Sequence, residues 1–427
     1  MNIVQRLVTL AIVLSLAACA GSHSPAAYDP TASASDQPPA HASDKRHTHS
    51  FPQPPELEPQ IAFWRNVFGV WSRAQVVFHD NRHLGLIYEV TTLPGNIESG
   101  YTHAQSSLIR ERRDIWESRL QELERKTIAN QPLSPSEQAL MARITQVAGK
   151  GAIFGASERL RRQRGLREKF KRGLEISGRY DKVFRDIFRQ AGLPEDLAYL
   201  PHVESSFQNH ARSSAGASGM WQFTRPAAQT YMNPHPALDE RLDPVMAAHG
   251  AARYLRDAYN RLGDWALALT SYNHGIGGMK KAQAQFGNDF AGIVQYYDGP
   301  HFGFASRNFY AEFLAIRELV SQAQRYFPEG VNPETPLDWD RVVLRQNALA
   351  TELALYYGVT KQQLLLMNPS WSKSARANRI ALPEGTTIWL PNGTLQRIAQ
   401  LGRGPQALAA ANTVGDEDSA TCRGEDC

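Results

Sequence analysis

VESSFQNHARSSAGASGMWQF, residues 203–223, places one carboxylate, Glu204, at the end of an apolar run and closes a string of small residues with Trp221, Gln222 and Phe223. Upstream, PEDLAYLPHVES (194–205) reads as a helix, with Pro194 in its first turn and Leu197, Leu200 and Val203 along an apolar side. Glu204 then falls near the helix C-terminus. The partial negative charge there and the apolar neighbours both oppose ionisation, so its pKa is expected to be raised. A carboxyl protonated near neutral pH can act as a general acid.

The chain has 427 residues, 42% of them hydrophobic, enough for two or three domains with real cores. A formal net charge of +4 is too mild to indicate a nucleic-acid partner. At the start, MNIVQRLVTLAIVLSLAAC has Arg6 ahead of an apolar run over 7–18. A membrane span takes about 20 residues, so this run reads as an export signal. Its end, Leu16-Ala17-Ala18-Cys19, resembles the lipobox of bacterial lipoproteins, which implies cleavage before Cys19, lipidation of Cys19 and attachment to a membrane. Ala20 after the cysteine implies sorting to the outer membrane, facing the periplasm. Residues 20–59, rich in Pro, Ser, Ala and His, read as a disordered tether, with His47 and His49 as solvated linker rather than metal ligands. Cys422 and Cys427 are spaced to close a small loop in a tail over 394–427 that reads as disordered.

Residues 60–184 are expected to form a hairpin and a helical region. Strands are expected at 76–78 and 86–90, across the turn-forming DNRHLG. Helical spacing then runs from about 105 to 190, with Ser134, Pro135 and Glu137 placed as a capping box. The arginines between 159 and 172 read as a solvated helix face, with contact to an anionic polymer as the sharper alternative. Two further helices are expected, one starting at Asp243-Pro244 and the other ended by Gly275, Gly277 and Gly278. Residues 342–393 read as strand, two helices and strand.

Tight backbone at 213–219 beside an aromatic ring and an amide suits a sugar chain, which needs apolar faces to lie on and amides for its hydroxyl and N-acetyl groups. Three ordered motifs, Glu204-Ser205, Gly216-Ala217-Ser218-Gly219-Met220-Trp221-Gln222 and Ser271-Tyr272-Asn273, resemble those of the family 1 lytic transglycosylases over about 185–325. The resemblance implies a mainly α (α+β) protein: a lysozyme-like helical catalytic domain with a helical N-terminal extension and the small hairpin. It also implies Glu204 as the catalytic acid/base and Ser205, Ser213, Gly219, Met220, Gln222, Tyr272 and Asn273 as glycan-binding residues. No metal or organic cofactor is implied. One departure is Ala305-Ser306-Arg307-Asn308-Phe309, which puts Phe309 where the family usually has tyrosine. Either Tyr310 substitutes, or the site manages without that hydroxyl, or activity is weak. The 342–393 segment resembles a LysM glycan-binding repeat in its helix, NP and closing LP pattern, without the usual glycine-aspartate-threonine opening; a packing appendage is the other reading.

Ordinary glycosidases need a second carboxylate. The motifs hold none, and Asp239, Glu240 and Asp243 fit a helix start as well as a site. One carboxyl suffices if the substrate supplies the nucleophile, and the resemblance to the lytic transglycosylases implies cleavage between N-acetylmuramic acid and N-acetylglucosamine of peptidoglycan with closure of a 1,6-anhydro ring. A hydrolytic muramidase on the same fold and a non-catalytic cell-wall binding or scaffold lipoprotein are the alternatives.

Overall fold

The computed structural model describes residues 51–97 and 100–404. Cys19, His47, His49, Cys422 and Cys427 lie outside them. A 3-10 turn, Pro55–Leu57, leads into α1 (Glu58–Gly69), β1 (Gln75–Asp80), β2 (Ile87–Thr92), α2 (His103–Ile128), α3 (Pro135–Ala148), β3 (Leu160–Arg164) and α4 (Arg167–Gln190). After a further 3-10 turn, Glu195–Tyr199, come α5 (Leu200–Glu204), α6 (Arg225–Tyr231), α7 (Pro244–Leu262), α8 (Trp265–His274), α9 (Ile276–Phe286), α10 (Phe290–Tyr296), α11 (Phe304–Ser321) and α12 (Ala323–Tyr326). The chain continues through β4 (Trp339–Val343), α13 (Ala350–Tyr357), α14 (Lys361–Met367), α15 (Lys373–Arg376), β5 (Thr387–Pro391) and α16 (Thr394–Gln400). The protein is mainly helical with few strands. No helix among the described residues is long and apolar enough to cross a membrane.

Two compact units form. The first takes the described residues up to Leu174, with Gly192–Val203 and Tyr254–Val331; the second takes Glu175–Ala191, Glu204–Arg253 and the described residues from Asn332 onward.

In the first unit, β1 lies between β2 and β3, antiparallel to both, with Val77 opposite Val90 on one side and Gln163 on the other. Val76 and Phe78 enter an apolar cluster with Trp116 and Leu120 of α2 and Ile144 of α3, while alternation sends His79 to the other face, against Phe63. The capping box forms as expected: the Ser134 amide donates to Glu137 Oε2 at 2.7 Å and the Glu137 amide donates to Ser134 Oγ. The arginine run departs from expectation in part: residues 160–164 form a strand, whereas Arg167 and Arg172 do lie on a helix, α4. Arg161 lies over the Phe304 ring at 3.9 Å, and the Arg159 guanidinium donates to the buried Asp80 carboxylate at 2.9 Å. Arginine stems cover apolar surface here, so hydropathy alternation gives no strand signal.

Residues 51–59, expected to be tether, are part of the fold instead: Phe51 is buried against Phe313 and Trp265, and α1 begins at Glu58. Trp64 of α1 donates from Nε1 to Asn308 Oδ1 on α11 at 3.1 Å. Gly275 ends α8 at φ 83°, but Gly277 and Gly278 lie inside α9 and do not end a helix. A Cβ on Gly278 would come within 2.5 Å of the His274 ring, so close packing explains that glycine. Phe309 is core. Tyr310 is fully buried, with its hydroxyl donating to the Pro52 carbonyl at 2.8 Å, so its proton is already engaged.

In the second unit, Phe184 and Phe188 of α4 pack on Trp221 with centroids 5.0 and 5.8 Å away. β4 and β5 pair antiparallel, with Arg341 opposite Trp389, and α13, α14 and the short α15 lie between them in sequence. Their shared core includes Leu353, Tyr357, Leu364, Leu382 and Ile388. The tail expected from 394 begins instead with a helix, α16, because Leu395 and Ile398, spaced by one turn, pack on this core.

Candidate active site

The expected single helix over 194–205 is broken in two. Pro201 has no N–H to give to Leu197, so the chain closes a 3-10 turn through the Leu200 amide and starts α5 afresh with proline in its first turn. Glu204 is the last residue of that short helix. It keeps part of its surface open, yet burial pushes its carboxyl up to about 8. Desolvation is the whole cause, with no charged neighbour behind it.

Beyond Glu204 the backbone turns through Ser206 and Phe207, both left-handed at φ 54° and 60°. For residues other than glycine, such conformations cost about 1–3 kcal/mol each, so the surroundings must enforce them. Ser205 does part of this: its Oγ donates to the Met220 carbonyl at 2.8 Å and accepts the Gln208 amide at 3.1 Å. Phe207 is buried against Phe184. The small-residue segment then folds tightly. The Gly219 amide donates to Ala211 O, Ser213 Oγ accepts the Ala217 amide at 3.0 Å, and Trp221, fully buried, donates from Nε1 to Pro244 O at 3.0 Å. Gln222, left-handed at φ 50°, gives its side-chain NH2 to Ala211 O and Gly219 O at 3.2 and 2.7 Å. Its carboxamide oxygen is what remains to offer a ligand.

Ser205, Ser213, Gly219, Met220 and Gln222, all predicted to bind glycan, therefore gather in one loop that begins at Glu204. Ser205, Gly219 and Met220 are buried and hold the loop from inside the protein. Ser213 and Gln222 retain exposed surface.

Tyr272 and Asn273 belong to the first unit, at the end of α8. The Tyr272 ring meets Tyr254 edge-on at 5.2 Å, and the Tyr254 hydroxyl donates to Ser271 O at 2.6 Å. Ser306 Oγ donates to Asn273 Oδ1 at 2.7 Å, which fixes the amide so that its NH2 is the group left to a ligand. Ser306 was legible only as part of a departing motif.

Three carboxylates further along the chain are each committed. Burial opposes ionisation of Asp239, but the bidentate Arg241 guanidinium, at 2.8 Å to both oxygens, overrides it and holds the carboxyl below its usual range. Glu240 accepts the Asn233 amide at 3.0 Å. Asp243 is buried, which raises its pKa, and caps α7 by accepting the Val245 and Met246 amides; its other oxygen accepts Trp389 Nε1–H at 2.7 Å. Arg241, 3% exposed, escaped sequence reasoning. It also donates to Gly216 O and Phe223 O, so it ties both ends of the loop, and nothing in a run of charged residues before a helix marks such a buried arginine. Among the described residues no group of three or more His, Cys, Asp or Glu is placed to hold a metal ion.

Residues 185–291 match the family described as Transglycosylase SLT domain, which takes in Glu204, the loop and the Ser271-Tyr272-Asn273 motif. The SLT match ends before the Ala305–Phe309 motif, which is thus outside it. Membrane-bound lytic murein transglycosylase D of Escherichia coli K12 is 29% identical over 141 residues, 32% of this chain and 30% of that protein. Membrane-bound lytic murein transglycosylase F of Shewanella loihica is 37% identical over 95 residues, 20% of this chain and 19% of that protein. The chain thus spans about a third or less of the length of these relatives. Among solved structures, the 70 kDa soluble lytic transglycosylase of Escherichia coli covers 56% of this chain and 38% of its own at 18% identity, with a TM-score of 0.29, too low for the overlay to add to the fold described above.

Proposed function

We propose that the protein is a lytic transglycosylase that cleaves the β-1,4 bond between N-acetylmuramic acid and N-acetylglucosamine in peptidoglycan, leaving 1,6-anhydro-muramoyl ends. One observation carries the choice of reaction: Glu204 is a carboxyl kept protonated by burial, whereas Asp239, Glu240 and Asp243 are occupied by Arg241, Asn233 and the α7 cap. A hydrolase would need a second carboxylate as nucleophile or base, and these three are committed elsewhere. Glu204 gives its proton to the glycosidic oxygen as the C1–O bond breaks. The N-acetyl oxygen shields the charge at C1. The Glu204 carboxylate then takes the proton of the C6 hydroxyl as O6 bonds to C1, and no water is consumed. Ser213 and the Gln222 oxygen are assigned to the sugar through the loop they line, and Tyr272 and Asn273 through the SLT match. The relatives named membrane-bound support a membrane-associated protein of the periplasm.

Purified sacculi incubated with the protein should release muropeptides ending in 1,6-anhydro-muramic acid, lighter by one water than reducing-end products. Reducing ends as the main product would make the protein a muramidase, and binding without cleavage would make it a scaffold. The rate should fall as pH rises through about 8, where Glu204 loses the proton it must donate. A flat profile up to pH 9 would remove it as the acid.

Attachment to the outer membrane is assigned to lipidated Cys19. Replacing it (Cys19→Ala) should move the protein to the soluble fraction, since residues 20–50 carry no second apolar run. Persistence in membranes washed with high salt would overturn the anchor.

A further inference from the structure

Residues 237–244 alternate between two sets of partners within the second unit. On one side is the C-terminal segment. The Ser372 amide donates to Ala237 O at 2.8 Å, the Asp239 amide donates to Ser370 O at 2.7 Å, Leu238 pairs with Trp371, and Trp389 Nε1 donates to Asp243 Oδ2. Ala237 is fully buried in the core that the C-terminal strands and helices share. On the other side is the loop after Glu204. Arg241 binds Gly216 O and Phe223 O, Leu242 O accepts Asn209 Nδ2–H at 2.9 Å, and Pro244 O accepts Trp221 Nε1–H. Within 237–244 the C-terminal segment thus holds 237, 238, 239 and 243, and the loop is held by 241, 242 and 244.

We propose that the C-terminal segment from β4 to β5 is a brace for the loop that follows Glu204, acting through the strip 237–244, with Trp389 as a positioning residue. A detachable wall-binding module would have its own closed core and a linker. This one borrows Ala237 for its core and gives an indole N–H to the residue that caps α7, next to the carbonyl that anchors Trp221. Each bond in such a chain is modest by itself, but misplacing a catalytic element by about 1 Å can cost up to about a hundredfold in rate. The catalytic half of this proposal rests on the function proposed above; the structural half does not.

Trp389→Phe in the full-length chain keeps most of the ring volume and removes the donor. Amide hydrogen exchange at Ser213, Ser218, Gly219 and Gln222, whose amides are bonded within the loop, should lose about tenfold in protection, while the amides of α8 in the other unit stay as they were. On soluble glycan oligomers kcat should fall about tenfold with KM within about twofold, and the alkaline limb of the rate profile should move toward acid as water reaches Glu204. Leu366→Ser, on an exposed surface of α14, should change neither exchange nor kcat. Unchanged loop protection in Trp389→Phe overturns the proposal, as does an equal loss throughout the chain, which would mark general destabilisation. If the wild type cleaves nothing, the function fails and the exchange result still decides the brace. Should Trp389→Phe not fold, Asp243→Asn, which cannot both cap α7 and accept the indole through carboxylate oxygens, is read in the same way.

Discussion

Glu204→Gln is expected to abolish turnover while leaving the fold intact. The amide matches the carboxyl in size and carries no transferable proton. A positioned general acid typically supplies a factor of about 10² to 10⁴, and Glu204 is assigned both the donation to the leaving oxygen and the uptake from the C6 hydroxyl, so the loss should reach at least 10³ or so. Stability moves the other way. Because burial raises the folded-state pKa from 4.5 to about 8, the folded protein holds a proton that the unfolded chain has released between those values. Stability from this group therefore falls as pH rises from about 4.5 to about 8 and stays low above it. A neutral amide in its place escapes that loss, so the variant should melt at a higher temperature than wild type at pH 8, with the difference vanishing below pH 4.5. Equal activity of the two proteins in sacculus digestion would remove Glu204 from the chemistry. Equal melting at pH 8 would mean that its carboxyl is not desolvated.

Much of this site could be read from the chain because its signals are local. An apolar run ending in a glutamate gives the raised pKa, and small residues ahead of Trp221 give the tight loop. The capping box at Ser134 and the strands around Val77 and Tyr88 follow from spacing alone. What escaped depends on distant partners. Residues 160–164 form a strand only because β1 offers an edge and Phe304 and Asp80 receive the arginines. Arg241 is a buried clamp only because Gly216, Phe223 and Asp239 converge on it. The α16 helix exists because a core is there to receive Ile398, and residues 51–59 are ordered because Phe313 receives Phe51. Pro201 did announce the break between the 3-10 turn and α5, and the apolar spacing across it hid the signal.

Gly219→Ala is expected to be among the most damaging single changes in the loop. Gly219 sits at φ +82°, where a side chain adds about 1–2 kcal/mol of strain, and its added Cβ would lie 1.7 Å from the Arg241 carbonyl oxygen. That overlap is with backbone, so no rotamer relieves it. Arg241 cannot withdraw freely either, since its guanidinium is fastened to Asp239, Gly216 and Phe223. The loop would have to move instead, breaking the bonds that the Gly219 carbonyl accepts from the Gln222 backbone and side chain. A loss of about 3 kcal/mol or more is expected, a large part of the 5–15 kcal/mol or so that holds a typical domain. Gly216 supplies the control: it has nearly the same φ, +80°, and nothing within 4 Å of its Cβ position, so Gly216→Ala should cost only about 1–2 kcal/mol. Chemical denaturation of both variants separates backbone strain from the clash. A Gly219→Ala protein no less stable than Gly216→Ala would mean that Arg241 does not hold the loop at this distance, and that Gln222 is oriented by something other than the carbonyl of residue 219.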